Sequence, residues 1–454
     1  MEKLPESFIK TLELILKNEL KAFIQALSET PPTSIRKNAK KATPFAQNSP
    51  PVLWNPDRGR YLDTRPVFTL DPAFHAGAYY VQEASSQFPA HAFRHFFAEK
   101  KPLKVLDLCA APGGKSTLLA DELSDESLLI ANEVIRGRYA ILRQNVQKWG
   151  RPNVWTTNHD ARDFAPLAGF FDLVLVDAPC SGEGLFRKDK AAISEWSPSN
   201  VQLCSARQKR ILSEAAALVA PGGFLFYCTC TYNACENDEN ARFITQQFDF
   251  QTVKPPVSET WGLVETPFGF QFFPHRVRGE GFYFAAFQKQ GGAAFSPKKI
   301  KSGSAPKWRP LPRKSAAPLE PFLDGDAPPA LFETTKGTLY GLPPKLAVEA
   351  GVLLSVLGRA HFGVELGRIK GRDLVPEHAL ALSTFMPKDF PAVELDLAGA
   401  HAFLKKETLP VPPGLPAGWA LARYEGLALG WLKILKTRVN NYFPKSWRIR
   451  MDIS

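Results

Sequence analysis

The chain has 454 residues, 22% of them charged, and a formal net charge of +11. That length predicts about three domains, and the composition is that of a soluble globular protein. No apolar run reaches the roughly 18 residues of a membrane span, so no membrane partner is expected. The start, Met1-Glu2-Lys3-Leu4-Pro5, lacks the basic-then-apolar plan of a secretory signal. Excess positive charge points to a polyanionic partner. The six cysteines, Cys109, Cys180, Cys204, Cys228, Cys230 and Cys235, share one central segment. A secreted disulfide scaffold would spread them through a short chain, so free thiols in a reducing cytoplasm are expected. Cys228-x-Cys230 is too tight for a zinc pair and has no nearby His, so no metal is expected.

In chain order, Phe8, Leu12, Leu16, Leu20, Phe23 and Leu27 form an apolar stripe that predicts a helix over 4–27, stopped by Pro31-Pro32. Residues 34–41 read as a basic, extended, solvated segment. Residues 1–75 are expected to form a small α+β appendage. Over 76–290 short apolar strands at 105–108, 128–133, 154–158, 171–177 and 224–227 alternate with helices from 116, over 137–148, 205–219 and 236–247. The run 281–287 closes the series. That alternation predicts an α/β fold with a doubly wound, mostly parallel Rossmann-like sheet. Pro221-Gly222-Gly223 reads as a tight turn between a helix and a strand. Residues 291–320, rich in Lys, Pro and Ser, read as a basic linker without core-forming residues. Residues 321–454 read as a small, independent, β-containing C-terminal region. Its tail interleaves Lys433, Lys436, Arg438, Lys445, Arg448 and Arg450 with Trp431, Tyr442, Phe443 and Trp447, a pattern that suits RNA.

Two loops at predicted strand ends carry chemistry, where open α/β sheets bind ligands. The first is Cys109-Ala110-Ala111-Pro112-Gly113-Gly114-Lys115, following Asp107-Leu108. Gly114-Lys115-Ser116 imitates the end of a phosphate-binding loop, but Cys109 stands where its first Gly belongs. A dinucleotide loop would need three spaced glycines. A loop this short, with a proline inside it, offers too few N–H groups to wrap a triphosphate. Glu133 ends the next strand, where an acid grips ribose hydroxyls. Asp160, after the third strand, is placed to meet an adenine amino group. The ligand that fits is an adenosine-type nucleoside without a phosphate chain, and S-adenosylmethionine is the cofactor expected.

The second loop is Asp177-Ala178-Pro179-Cys180-Ser181-Gly182, in which Cys180 at first reads as a nucleophile. A second thiol, Cys230, lies in Cys228-Thr229-Cys230-Thr231-Tyr232 at the end of the neighbouring strand. Two thiols and a carboxylate suit methylation of a weakly nucleophilic carbon such as pyrimidine C5. A thiolate adds to C6 and makes C5 enamine-like. An acid near N3 steadies the developing charge.

These three motifs resemble the signature of the Sun-type (NSUN) RNA cytosine-5 methyltransferases over roughly residues 30–290. Residues 371–382 and 429–433 resemble the C-terminal part of the bacterial RsmF-like ribosomal RNA methyltransferases. The resemblance implies that Cys230 attacks C6, that Cys180 helps release the product and that Asp177 sits beside base and methyl donor. It further implies that 109–115, Glu133 and Asp160 hold S-adenosylmethionine. Arg36 and Asn38 resemble a polar pair of the family's N-terminal region that would support an RNA channel. Cys228 departs from the Ser often found there. The expected partner is structured RNA, small-subunit ribosomal RNA first, and the expected state a monomer. Rival readings are the same chemistry on transfer RNA, an exocyclic-amine methyltransferase and a non-catalytic RNA-binding assembly factor. Cys180, where an amine methyltransferase places an aromatic, opposes the second. The intact thiols and cofactor loop oppose the third. A DNA substrate would require Cys180 to attack.

Overall fold

The computed structural model describes residues 4–99, 101–297, 308–411 and 413–451. Its central sheet has ten strands. Five run parallel, in the spatial order Val154–Thr157, Leu128–Asn132, Lys104–Asp107, Phe171–Asp177 and Val219–Thr229. Both faces of these strands are covered, which is why they read as unbroken apolar runs rather than alternating ones. Helices Gly114–Glu122 and Arg136–Trp149 cover one face through Leu119, Leu142 and Val146. Helices Pro198–Leu218 and Asp238–Gln247 cover the other through Leu212, Ala241 and Ile244. Phe282–Lys289 then joins Val219–Thr229 antiparallel, so the whole sheet is mixed. The strand order reverses between Lys104–Asp107 and Phe171–Asp177. In such sheets the ligand crevice opens beyond the carboxyl ends at that switch point. Pro221-Gly222-Gly223 is not a turn outside the sheet. It lies within Val219–Thr229 as an irregularity that shifts the register against Phe171–Asp177.

The N-terminal stripe is real but broken. Glu6–Leu16 and Leu20–Ser28 are separate helices joined by a tight turn at Lys17–Glu19, where Lys17 has φ 49°. Phe8, Leu12, Phe23 and Leu27 pack against Phe186, Trp196 and Tyr232, in the loops that follow the two motif cysteines. A four-stranded sheet follows, in the order Pro51–Val52, Asn55–Leu62, Thr33–Lys37 and Tyr79–Val81, so it reaches past residue 75.

The solvated reading of 34–41 is corrected here. Arg36 and Asn38 are both buried. Arg36 donates to Asp121 Oδ2 at 2.9 Å, Gln82 Oε1 at 2.8 Å and Thr117 Oγ1 at 2.6 Å, and lies over the Trp149 ring. Asn38 donates to the Gly77 and Trp149 carbonyls. Charge patterning marked them as surface because their partners are distant in sequence.

The C-terminal half is not independent. A five-stranded sheet, ordered Trp308–Pro310, Ala330–Thr334, Leu339–Leu342, Val364–Lys370 and Asp373–Pro376, and a four-stranded sheet from Ala392–Glu394 to Val439–Asn441 make up most of it. Yet Ala360–His361 pairs antiparallel with Val154–Thr157 and completes the central sheet. Trp308, Leu353 and Phe362 join the same core as Trp155 and Phe164. The expected linker therefore supplies core residues, Trp308 and the fully enclosed Leu319. Of its basic residues, Lys298, Lys299, Lys301 and Lys307 lie outside the described ones. The tail is also corrected. Trp431 and Phe443 are core residues, whereas Tyr442 is exposed. No described helix is long and apolar enough to cross a membrane.

Candidate active site

The two motif loops meet at the switch point. Phe171–Asp177 and Val219–Thr229 are adjacent and parallel, with Asp177 opposite Cys228. The Ala178 N–H donates to the Cys228 carbonyl at 3.0 Å, and the Gly184 N–H to the Cys230 carbonyl at 2.9 Å. The Cys180 and Cys230 sulfurs are consequently 3.0 Å apart, with both thiols free. The Cys230 N–H also donates to Cys180 Sγ at 3.3 Å. Contact with Cys230, followed by burial, pushes the Cys180 thiol well above the ordinary cysteine range. Cys180 therefore keeps its proton at neutral pH.

Lys115 reaches Asp177, its Nζ 2.8 Å from Oδ2. Burial opposes its charge, but Asp177 and the Cys228 and Cys230 sulfurs outweigh burial and raise its pKa. Lys115 thus serves Asp177 rather than a phosphate chain. Cys228 is fully enclosed within the sheet, and burial pushes its thiol up, so the third thiol is a core residue. Cys204 is buried in the helix Pro198–Leu218.

Two buried carboxylates that the motif search missed bind these loops together. Glu183 is 1% exposed. It accepts five hydrogen bonds, from Thr231 Oγ1, the Tyr232 and Asn233 N–H groups, Asn233 Nδ2 and Trp196 Nε1. Glu236 accepts from the Ser181 N–H at 3.0 Å and from Gln208 Nε2 at 2.7 Å. One carboxylate on the Cys180 loop thus fixes the chain after Cys230, and one after Cys230 fixes the chain after Cys180. Glu183 directly follows the loop 177–182, but a single sequence gives no reason to separate it from a solvated loop acid. Replacing Glu183 by Gln presents an NH₂ group to two or three of these five donors, whichever way the amide is turned. Thermal melting of Glu183→Gln should show a loss of about 1–3 kcal/mol, accompanied by a drop in turnover.

The cofactor loop runs from Lys104–Asp107 into Gly114–Glu122. Gly113 caps the helix at φ 111°, a conformation that a side chain disfavours. Arg138 donates to the Ala111 carbonyl at 2.7 Å and Asn145 to the Pro112 carbonyl at 2.8 Å, so the loop is held from the next helix. The Ala110 N–H donates to Asn132. Cys109 packs on the core, and burial pushes its thiol up. Glu133 is 3% exposed, accepts from the Ile135 N–H at 2.8 Å and lies 3.5 Å from Arg138. Asp160 caps the short helix Ala161–Leu167 and pairs with Arg210 through the same oxygen, Oδ1. Asp107, absent from the sequence-derived site, is fully buried, and burial pushes its carboxyl up to about 7. Ser116 donates to its Oδ2 at 2.6 Å, while its Oδ1 has no partner among the described residues.

A switch-point crevice with a short glycine loop, an acid at the end of the next strand and an unpartnered acid beneath is that of an S-adenosylmethionine-binding methyltransferase. Three family profiles match in order. They are described as the N-terminal domain of 16S rRNA methyltransferase RsmF over residues 4–84, 16S rRNA methyltransferase RsmB/F over 96–288, and the methyltransferase RsmF PUA domain over 390–449. The ribosomal RNA small subunit methyltransferases F of Aeromonas hydrophila subsp. hydrophila and Psychromonas ingrahamii are each 30% identical to the chain. The first alignment covers 97% of both chains, the second 98% of this chain and 97% of its relative. The chain belongs to this RsmB/F methyltransferase family, and it is an S-adenosylmethionine-dependent RNA cytosine-5 methyltransferase. Solved structures share the fold. NSun6 from Pyrococcus horikoshii with SFG superposes with a TM-score of 0.53 at 18% identity, over 63% of this chain and 99% of that one. A methyltransferase homolog from the same organism gives 0.52 at 23%, over 63% and 100%.

Proposed function

We propose that the enzyme methylates cytosine C5 in small-subunit ribosomal RNA through a covalent bond between Cys230 and C6. The observation that carries this is the pair of sulfurs 3.0 Å apart beside the Lys115–Asp177 ion pair. Cys230 Sγ adds to C6 as the thiolate, and the C5=C6 electron pair moves to C5. Asp177, held by Lys115, is the group beside the ring nitrogen where charge develops. S-adenosylmethionine supplies the methyl group as a sulfonium, an electrophile that needs no further activation. After transfer the C5 proton passes to solvent, its electron pair re-forms the C5=C6 double bond, and the C6–S bond breaks to release Cys230 Sγ with the bonding pair. Cys180, which keeps its proton, is placed to return the departing sulfur to the thiol form. A target base must be turned out of any helix for C5 and C6 to be reached. Of the earlier alternatives, transfer RNA stays as the rival substrate. We place the enzyme in the cytoplasm, acting as a monomer.

Residues 109–115, Glu133, Asp160 and Asp107 are the groups assigned to the cofactor. The donor that the buried Asp107 Oδ1 lacks fits a cationic ligand such as an ammonium. If so, affinity depends on pH in one direction. Below about 7 the carboxyl is neutral, and binding a cation first requires loss of its proton. The Kd for S-adenosylmethionine should rise up to tenfold per pH unit below 7 and level off above it. Titration calorimetry at pH 6 and 8 checks this, and Asp107→Asn should flatten the dependence.

Bisulfite sequencing of cellular RNA with and without the protein tests the function itself. One or more protected cytosines in small-subunit ribosomal RNA should lose protection without it. Loss confined to transfer RNA would transfer the assignment there, and no loss anywhere would end it.

A further inference from the structure

Outside the catalytic crevice, a cavity of about 600 Å³ opens between the N-terminal sheet and the helix Arg136–Trp149. That is the size of a small-ligand site. Its walls include Phe74, Tyr80 and Trp149, and its charged members are Arg65 and Lys148. No carboxylate is among the residues that line it. Lys148 is 8% exposed, and its Nζ makes no hydrogen bond or ion pair among the described residues. Instead it lies 4.8 Å from the Phe74 ring centre and 5.7 Å from that of Trp447. Burial lowers its pKa to about 8, which still leaves it mostly charged at neutral pH. The Nζ is not sealed off among the buried unpartnered atoms but reaches open space, where an anion entering the cavity could pair with it.

The cavity also adjoins the cofactor loop. Asn145, in its wall, donates to the Pro112 carbonyl at 2.8 Å and to Tyr80 Oη at 3.4 Å. A ligand seated there would lie along the same helix that steadies the methyl-donor site.

We propose that this cavity binds an unpaired nucleotide of the RNA substrate, with its base against the partly exposed Phe74 and Tyr80 and its phosphate at Lys148. The aromatic walls suit any base face, because stacking does not require hydrogen-bond readout. The two cations and the absence of lining carboxylates match a phosphodiester rather than an acidic-rimmed apolar ligand. The site would hold a nucleotide other than the target, since the target belongs at Cys230. This deepens the function proposed above and rests on RNA being the substrate.

The test uses the full-length protein and a small-subunit ribosomal RNA transcript carrying 4-thiouridine. Irradiation should cross-link RNA to peptides spanning 65–81 or 145–149. In binding assays Phe74→Leu and Lys148→Met should each weaken affinity about tenfold. Lys148→Met should also reduce the slope of log Kd against log salt by about one. In turnover, the KM for RNA should rise in both variants. If wild-type protein methylates and binds the transcript but neither segment cross-links, the cavity is not a nucleotide site. If wild-type protein forms no 5-methylcytosine in any RNA, the functional proposal has failed instead. The cross-link to wild-type protein decides the matter even if a variant folds poorly.

Discussion

Cys180→Ala should leave the protein covalently attached to its RNA, visible as a slow band on a denaturing gel, while Cys230→Ala should form no adduct. The expectation follows from the division of labour between the two sulfurs. Cys180 is held protonated by its contact with Cys230 and by burial, so it is a poor nucleophile. Its position 3.0 Å from Cys230 Sγ suits handing a proton to that sulfur as the C6–S bond breaks. Removing it leaves attack intact and slows release. Turnover should fall by about 10²–10⁴-fold, the range for losing a positioned acid or base. Cys230→Ala should lose turnover at least as completely, because the sulfur assigned to C6 is gone and Cys180 keeps its proton. Cys228 cannot substitute from inside the sheet. An adduct with Cys230→Ala and none with Cys180→Ala would exchange the two roles.

The second large effect concerns stability. Arg36→Met should lower stability by about 3–5 kcal/mol, the cost of stranding the buried partner of an ion pair. For a protein of this size that corresponds to a melting temperature lower by about 3–5 °C. Among the described residues, Asp121 would keep Arg58, at 3.6 Å, and Trp149 as its close donors. The same change releases the Gly114 and Thr117 carbonyls at the start of the helix after the cofactor loop. Affinity for S-adenosylmethionine should therefore fall along with stability. The double variant Arg36→Met, Asp121→Leu should recover part of the stability, because both charges are then gone. A single variant that melts like wild type would show that the pair contributes nothing.

How much of this could be read from sequence depended on the range of the interaction. The parallel strands were legible because each is apolar on both faces and ends in a small-residue loop. The thiols and Asp177 were legible because their motifs are contiguous and their strands neighbours. Arg36 was misjudged because its partners lie 46 to 85 residues away, and local charge density suggests water. Glu183 and Asp107 were missed for a related reason. Each lies beside a motif, but burial and bonding separate it from an ordinary loop acid, and those appear only after folding. Trp308 and Leu319 were lost in a segment whose average composition is that of a linker. A mean over thirty residues hides two anchors.

The two-residue strand Ala360–His361 changes how the molecule can be divided. It closes one border of the central sheet, where Val154–Thr157 would otherwise show an unpaired row of N–H and C=O groups. Tyr139 and His361 join their side chains across the same border at 2.6 Å. The catalytic fold is therefore finished by chain synthesised some two hundred residues later. A fragment ending near 297 would carry every motif residue yet expose a sticky flank, open to pairing with another copy. Such a fragment should cluster rather than stay dispersed, and the piece that carries the chemistry is not by itself a self-sufficient particle.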